Sequence, residues 1–252
     1  MKEKEQFFIK VREIFDENGL NDYLKDDILE KFYLLTEIMI KTNEKMNITA
    51  ITDVDAIIAR HYADSLLMLS AGIEEDSRVC DVGCGGGFPS FPLAIVRPDI
   101  SIIGIDSTAK KVNYVNETAK ELGLDNLVAV SGRAEELSSC GENYNYRESF
   151  DVVCARAVAS LPILSELCLP FAKKGGRFIA LKAKTAKEEI KAASLGIEKL
   201  GGKIEKIEEM SLVDKTLDES QNAERTLITV RKVTPTALKY PRPYAQIKKK
   251  PL

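Results

Sequence analysis

The stretch Asp81-Val-Gly-Cys-Gly-Gly-Gly-Phe88 places four glycines between positions 83 and 87, directly after a short apolar run. Missing side chains let the backbone bend sharply and come close to a ligand, and a helix starting just behind points its free N–H groups at the same place. A tight turn would use the same residues, so Gly83 and Gly85 alone name no ligand. Asp106 follows about twenty residues later at the end of the next apolar run, where a carboxylate can accept hydrogen bonds from both ribose hydroxyls. An ordinary turn before Ser107-Thr108 is the other reading of that aspartate. Phe88 stands where a dinucleotide fingerprint has its third glycine, which argues against close passage of a pyrophosphate. Asp81 adds a negative charge that would repel a pyrophosphate and suit the ammonium and sulfonium of S-adenosylmethionine. Asp81, Gly83, Gly85, Phe88 and Asp106 thus form a candidate S-adenosylmethionine site, with NAD behind it.

Further along, Ser131-Gly-Arg-Ala-Glu135 follows a third apolar run. Ala134 and Glu135 are candidates to line an adenine there, although acids in the first turn of a helix need no ligand. Arg156 ends a fourth run, and an arginine in such surroundings must find an anion or reach water. Earlier, Arg60, His61 and Asp64 read as a polar face on a short helix whose Leu66 and Leu67 pack inward. A salt-bridged helix explains Asp64 equally well.

These residues need elements to hold them. Arg78–Val82, Ser101–Asp106, Leu127–Ser131, Phe150–Ala155 and Gly176–Leu181 read as buried parallel strands. Helical patterns lie between them near Phe91–Val96, Thr108–Leu122, Ser160–Ala172 and Thr185–Leu200. Alternation of this kind predicts an α/β fold with a doubly wound, mostly parallel sheet. Lys203–Leu212 and Arg225–Lys232 come without a helix between them and predict a terminal antiparallel hairpin, the addition that a class I Rossmann-like methyltransferase makes to this plan. Before Arg78 only helix signals occur: one helix carrying Phe7, Val11 and Phe15, a second capped by Asn21 or Asp22, and a third from about Asp53 to Leu69. The expected organisation is a helical N-terminal extension (1–70), a cofactor-binding core (71–232) and a basic tail (233–252).

The 252 residues carry a formal net charge of −3, so the total does not point to nucleic acid and local clusters would have to. Lys173, Lys174, Arg177, Lys182, Lys184 and Lys187 form one such cluster. Arg231, Lys232, Lys239, Arg242 and Lys248–Lys250 form another, and either could follow a phosphate backbone. The odd count of five cysteines, mostly in apolar runs, reads as reduced, buried thiols of a cytoplasmic protein, and no metal site is expected. No segment has the length and apolarity of a signal peptide or a membrane span.

With those residues in place, the chain resembles the RsmG family (glucose-inhibited division protein B), the bacterial 16S ribosomal RNA guanine-N7 methyltransferases. The resemblance rests on Asn43…Asn47-Ile-Thr49, Arg60-His61-Tyr-Ala-Asp64-Ser65-Leu66, Asp81–Pro92, Asp106…Lys110-Lys111, Ala134-Glu135, Arg156-Ala157 and Tyr240-Pro-Arg242. It implies that Gly83, Phe88, Ala134, Glu135 and Arg156 contact S-adenosylmethionine. It also implies a small-subunit RNA partner. Arg156 and Asp64 are the candidate positioning or catalytic residues, and the protein is expected to act as a monomer. Thr42 stands where the family usually has Trp, Glu44 where it has Lys, and Tyr244-Ala245 where a glycine is common. A small-molecule methyltransferase and a non-catalytic nucleotide-binding assembly factor are the competing readings. Guanine N7 already exposes a lone pair, and the absence of an evident nucleophile–base pair fits an acceptor that needs no general base.

Overall fold

The computed structural model describes residues 2–139, 146–156, 159–183, 186–217 and 223–252. Cys140, one of the five cysteines, lies outside the described residues, as do Ala157, Lys184 and Thr185.

Helix α1 (Lys2–Glu17) buries Phe7, Val11 and Phe15, one residue per turn on a single face. Asn21 does not cap the next helix as expected. Its amide donates to Asp16 Oδ1 at 2.6 Å, closing the end of α1. A single 3₁₀ turn (Asn21–Tyr23) intervenes, and α2 (Asp26–Asn43) starts after an extended Lys25 with no side-chain cap. Asp53 does act as a cap, accepting from Ala56 N at 2.9 Å. The helix it starts is not continuous: α3 (Val54–Ile57) runs into a π-helical turn (Ile58–Ala63), then α4 (Asp64–Leu66) and a 3₁₀ turn to Ala71.

From there strands and helices alternate: β1 (Arg78–Val82), α5 (Ser90–Val96), β2 (Ser101–Asp106), α6 (Ala109–Glu121), β3 (Leu127–Ser131), α7 (Ala134–Leu137), β4 (Phe150–Arg156), α8 (Leu161–Cys168), β5 (Ala172–Lys182), α9 (Ala186–Lys199), β6 (Gly202–Leu212) and β7 (Ala223–Lys232). The seven strands form one sheet in the order β3-β2-β1-β4-β5-β7-β6. The first five are parallel, and β7 lies antiparallel to both β5 and β6. The fold is therefore the α/β, methyltransferase-like plan that the pattern of short apolar runs predicts. Its order reverses between β1 and β4, the place where such sheets bind ligands at their carboxyl ends.

Alternate residues of a strand face opposite sides, and the core divides accordingly. Val79, Val152 and Cys154 pack with α1, α2 and the helices before β1 in one apolar cluster. Cys80, Val82, Val153 and Ala155 pack with α8 and α9 in the other. The N-terminal helices thus share a core with one face of the sheet.

The segment after β7 folds back on the second face and ends in α10 (Tyr244–Lys249), with Ile247 fully buried. Lys232, read from sequence as part of a basic tail, is itself fully buried. Its ammonium donates to Leu169 O at 2.7 Å and to Thr236 Oγ1, with Glu148 at 3.2 Å. Burial pulls its pKa down to about 8.

Candidate functional site

The loop after β1 is held by its neighbour strand. Gly83 N and Cys84 N both donate to Ile105 O, at 2.8 and 3.0 Å. Gly83, Gly85 and Gly87 have φ of +80°, +53° and +87°, the left-handed region that favours glycine. The glycines do different work. A Cβ on Gly87 would lie 2.2 Å from the Phe91 ring and one on Gly86 2.7 Å from Ile48 Cγ2, whereas one on Gly85 would meet only Gly83 O at 3.8 Å. Gly87 and Gly86 permit packing; Gly85 leaves open space above the loop.

Asp106 braces this arrangement. Its Oδ2 accepts from Gly85 N at 3.0 Å and its Oδ1 from Thr108 N at 2.8 Å. Each carboxylate oxygen retains a further lone pair, so the side chain can brace the loop and still accept from a diol.

Two adjoining clefts open around Gly83 and Asp106. One, of about 260 Å³, is lined by Val82, Gly83, Ile105, Asp106, Ser107, Gly132, Arg133, Ala134, Glu135, Leu167 and Tyr244. The other, of about 350 Å³, is lined by Ile48, Thr49, His61, Gly83–Gly86, Phe88, Asp106, Lys111 and Arg156. Ala134 and Glu135 therefore sit at one end of the site and Gly85, Phe88 and Arg156 at the other. Asp81 lines neither. It is fully buried, its Oδ2 accepts from Ser90 Oγ at 2.6 Å, and its Oδ1 has no partner. Burial pushes this carboxyl up to about 6, against the Ser90 hydrogen bond and the nearby Arg156 charge. An orphaned carboxylate oxygen beneath an open glycine loop suits a cationic ligand.

Arg60, His61 and Asp64 do not form a solvated face. His61 and Asp64 are buried and point at the end of β4. Arg156 Nη1 donates to Asp64 Oδ2 at 3.0 Å and to Arg60 O at 2.6 Å, and Nη2 lies 3.3 Å from His61 Nδ1. Arg225, on β7, donates from Nε to Asp64 Oδ1 at 2.6 Å. One buried carboxylate thus pins two guanidinium groups from two different strands. The π turn makes the Arg60 contact available: Asp64 N–H reaches back to Ala59 O instead of Arg60 O, releasing the Arg60 carbonyl. π turns of this kind occur frequently at functional sites.

His61 has both ring nitrogens committed. A guanidinium only donates, so Nδ1 is the acceptor and Nε2 carries the proton, donated to Thr49 Oγ1 at 2.8 Å. Burial, then the charges of Arg156 and Arg60, lower its pKa to about 3. The ring is neutral at physiological pH and stacks on Phe88, over which the Arg156 guanidinium also lies at 5.7 Å. Asn43 clasps the loop in front, donating to Thr49 O and accepting from Ile48 N and Thr49 N.

Sequence reasoning missed Arg225, Leu167 and Tyr244. A charged residue opening the apolar run of β7 was the available signal for Arg225; nothing local marks the other two. The basic clusters also change character. Arg177 donates to Ala71 O and Gly72 O, Lys173 pairs with Asp151, Lys182 with Glu189 and Arg231 with Glu205. Arg242 is bound twice over to the buried Glu166. These cations are used to hold the fold, and Lys187 pairs with Glu209 at 3.1 Å, while Lys174, Lys239 and Lys248–Lys250 are exposed. Among the described residues no group of His, Cys, Asp and Glu gathers as a metal site, and no helix is long and apolar enough to cross a membrane.

Comparison with solved structures yields the same architecture. TYW2 of Methanococcus jannaschii, solved in complex with AdoMet, has a TM-score of 0.51 at 16% identity, covering 68% of this chain and 77% of that one. The cyclase SpnF has a TM-score of 0.51 at 18% identity, covering 69% and 82%. At such identities these likenesses show the fold alone. Sequence comparison goes further. A family model described as rRNA small subunit methyltransferase G matches residues 28–218. Ribosomal RNA small subunit methyltransferase G of Lactobacillus helveticus is 40% identical over 235 residues, covering 92% of this chain and 94% of that protein. Its counterpart in Clostridium novyi is 36% identical over 249 residues, covering 98% of each. The chain belongs to the family of ribosomal RNA small subunit methyltransferase G.

Proposed function

We propose that this chain transfers the methyl group of S-adenosylmethionine to N7 of a guanine in 16S ribosomal RNA, acting in the cytoplasm, with no side chain serving as a base. The observation that carries the reading is His61. The one histidine of the chain faces the cleft neutral, with both nitrogens engaged and its pKa near 3, beside an arginine that only donates. A ring so engaged orients its neighbours but does not remove a proton. When bound, S-adenosylmethionine supplies a methyl group on a positively charged sulfur, and guanine N7 already carries an exposed lone pair, so no proton has to move.

The residues then have distinct tasks. Asp106 accepts from ribose hydroxyls while holding Gly85. Ala134 and Glu135 receive the adenine, with the Glu135 carboxylate accepting from its amino group. Gly83 and Gly85 let the backbone approach the amino acid end. Arg156, fixed by Asp64 and Arg60 O, binds its carboxylate or a phosphate of the RNA. Phe88, backed by His61, walls the acceptor side. Asp81 stabilises positive charge from below the loop. Orientation and desolvation of this sort supply roughly 7–11 kcal/mol of barrier lowering, and the preorganised carboxylates add to it.

The test is to incubate the protein with labelled S-adenosylmethionine and small-subunit RNA from cells lacking it, free and as assembled subunit. Label is expected as 7-methylguanosine at a guanine left unmodified in those cells. Label on a different atom, or on small molecules with no RNA present, overturns the proposal.

A further inference from the structure

We propose that Tyr244 forms the outer wall of the adenosine end of the cleft, so that the segment after β7 serves cofactor binding. The inference rests on reading the cleft as an adenosine site.

Tyr244 begins α10 and lines the 260 Å³ cleft together with Gly83, Asp106, Ala134 and Glu135. It also borders an outer groove of about 590 Å³ that shares Arg133 and Glu135 with that cleft. Tyr244 therefore stands between the site and the outside, with its side chain partly exposed.

Its position is built. Glu166 is fully buried on α8, and it accepts from Arg242 N at 2.9 Å, from Nε at 2.8 Å and from Nη2 at 2.6 Å. The residue after Glu166 is Leu167, itself a wall of the same cleft. Arg147 provides a second tie. Its Nη1 donates to Ser138 O, at the end of α7, and to Tyr240 O, both at 2.9 Å, while Nη2 donates to Thr236 O at 2.7 Å. One guanidinium thus joins the helix presenting Ala134 and Glu135 to the segment presenting Tyr244. On the far side of Tyr244, the buried Ile247 fixes α10 against the core. An aromatic residue whose chain is held on both flanks, beside a cleft with a diol acceptor, suits a purine face.

The test is titration calorimetry of the full chain with S-adenosylhomocysteine and with 5′-methylthioadenosine, which lacks the amino acid end. Tyr244→Ala should weaken both by a similar factor, roughly ten- to a hundredfold for the loss of one stacking partner. Tyr244→Phe should keep wild-type affinity, since the ring and not the hydroxyl is at issue. Arg242→Ala should mimic Tyr244→Ala by releasing the ring. Melting temperature should be unchanged in both Tyr244 variants. Wild-type affinity in Tyr244→Ala overturns the proposal, as does a loss confined to S-adenosylhomocysteine. If the wild-type chain binds neither compound, the adenosine reading of the cleft is what fails.

Discussion

His61 and Phe88 lie face to face, with ring centroids 4.3 Å apart and planes within 8° of parallel. The pair joins the π turn of the N-terminal helices to the glycine loop, and it spends the histidine on packing. If His61 is not a base, the pH profile of methyl transfer at saturating S-adenosylmethionine should show no limb near 6.5 that depends on His61. His61→Gln should retain most of the turnover. A limb near that pH that disappears in His61→Gln would make the ring a proton acceptor.

Stability should carry the mark of the same residue. Between its ordinary 6.5 and the folded value of about 3, the unfolded chain holds a proton on His61 that the folded chain does not. Stability from this group therefore falls as pH drops through that window, at about 1.4 kcal/mol per pH unit. Asp81 works the other way between 3.8 and about 6, where the folded carboxyl holds the proton. Urea unfolding of His61→Gln should show a flatter acid limb than wild type.

Asp81 also predicts a pH dependence of ligand binding. Its carboxyl ionises near 6 in the free protein, and a cationic ligand favours the ionised form. Affinity for S-adenosylmethionine should fall as pH drops below about 6, and Asp81→Asn should remove that dependence. Calorimetry on both sides of that value checks it; an unchanged slope in Asp81→Asn would assign the effect elsewhere.

Asp64 carries two guanidinium groups in a buried setting. Its replacement by Ala leaves Arg156 and Arg225 facing each other unneutralised, a loss of about 3–5 kcal/mol. Arg156→Ala should cut methyl transfer far more than it cuts stability. Comparing urea midpoints with turnover separates the two roles.

The glycines should part company. Gly87→Ala forces a Cβ into the Phe91 ring at φ +87° and should cost about 2–4 kcal/mol in stability. Gly85→Asp places its Cβ in open space but at φ +53°, so it should cost only about 1 kcal/mol in stability, less than Gly87→Ala, while abolishing binding of S-adenosylmethionine.

The strands were legible because each is a short apolar run bounded by glycine or charge, and Arg78–Val82, Ser101–Asp106 and Leu127–Ser131 fall where those runs do. The π turn was not, because six residues hold too little periodicity to separate its repeat from that of an α-helix. The convergence of Gly83, Asp106, Ala134, Glu135 and Arg156 on adjoining clefts follows from their places at strand ends of one parallel sheet. The docking of the last segment was hidden, since Glu166 and Arg242 are 76 residues apart and each looks like a surface charge. Lys232 misled for the same reason: only the fold supplies Leu169 O and Thr236 as its partners.

In genetic terms, the turn from Ile58 to Ala63 is a spare codon written into a helix. Losing one codon there would heal the helix to ordinary α geometry with little disturbance on either side, and the protein would still accumulate. The Arg60 carbonyl, returned to its own backbone, would no longer hold Arg156. An in-frame deletion at this spot would therefore lower activity in cells whose levels of the protein are normal.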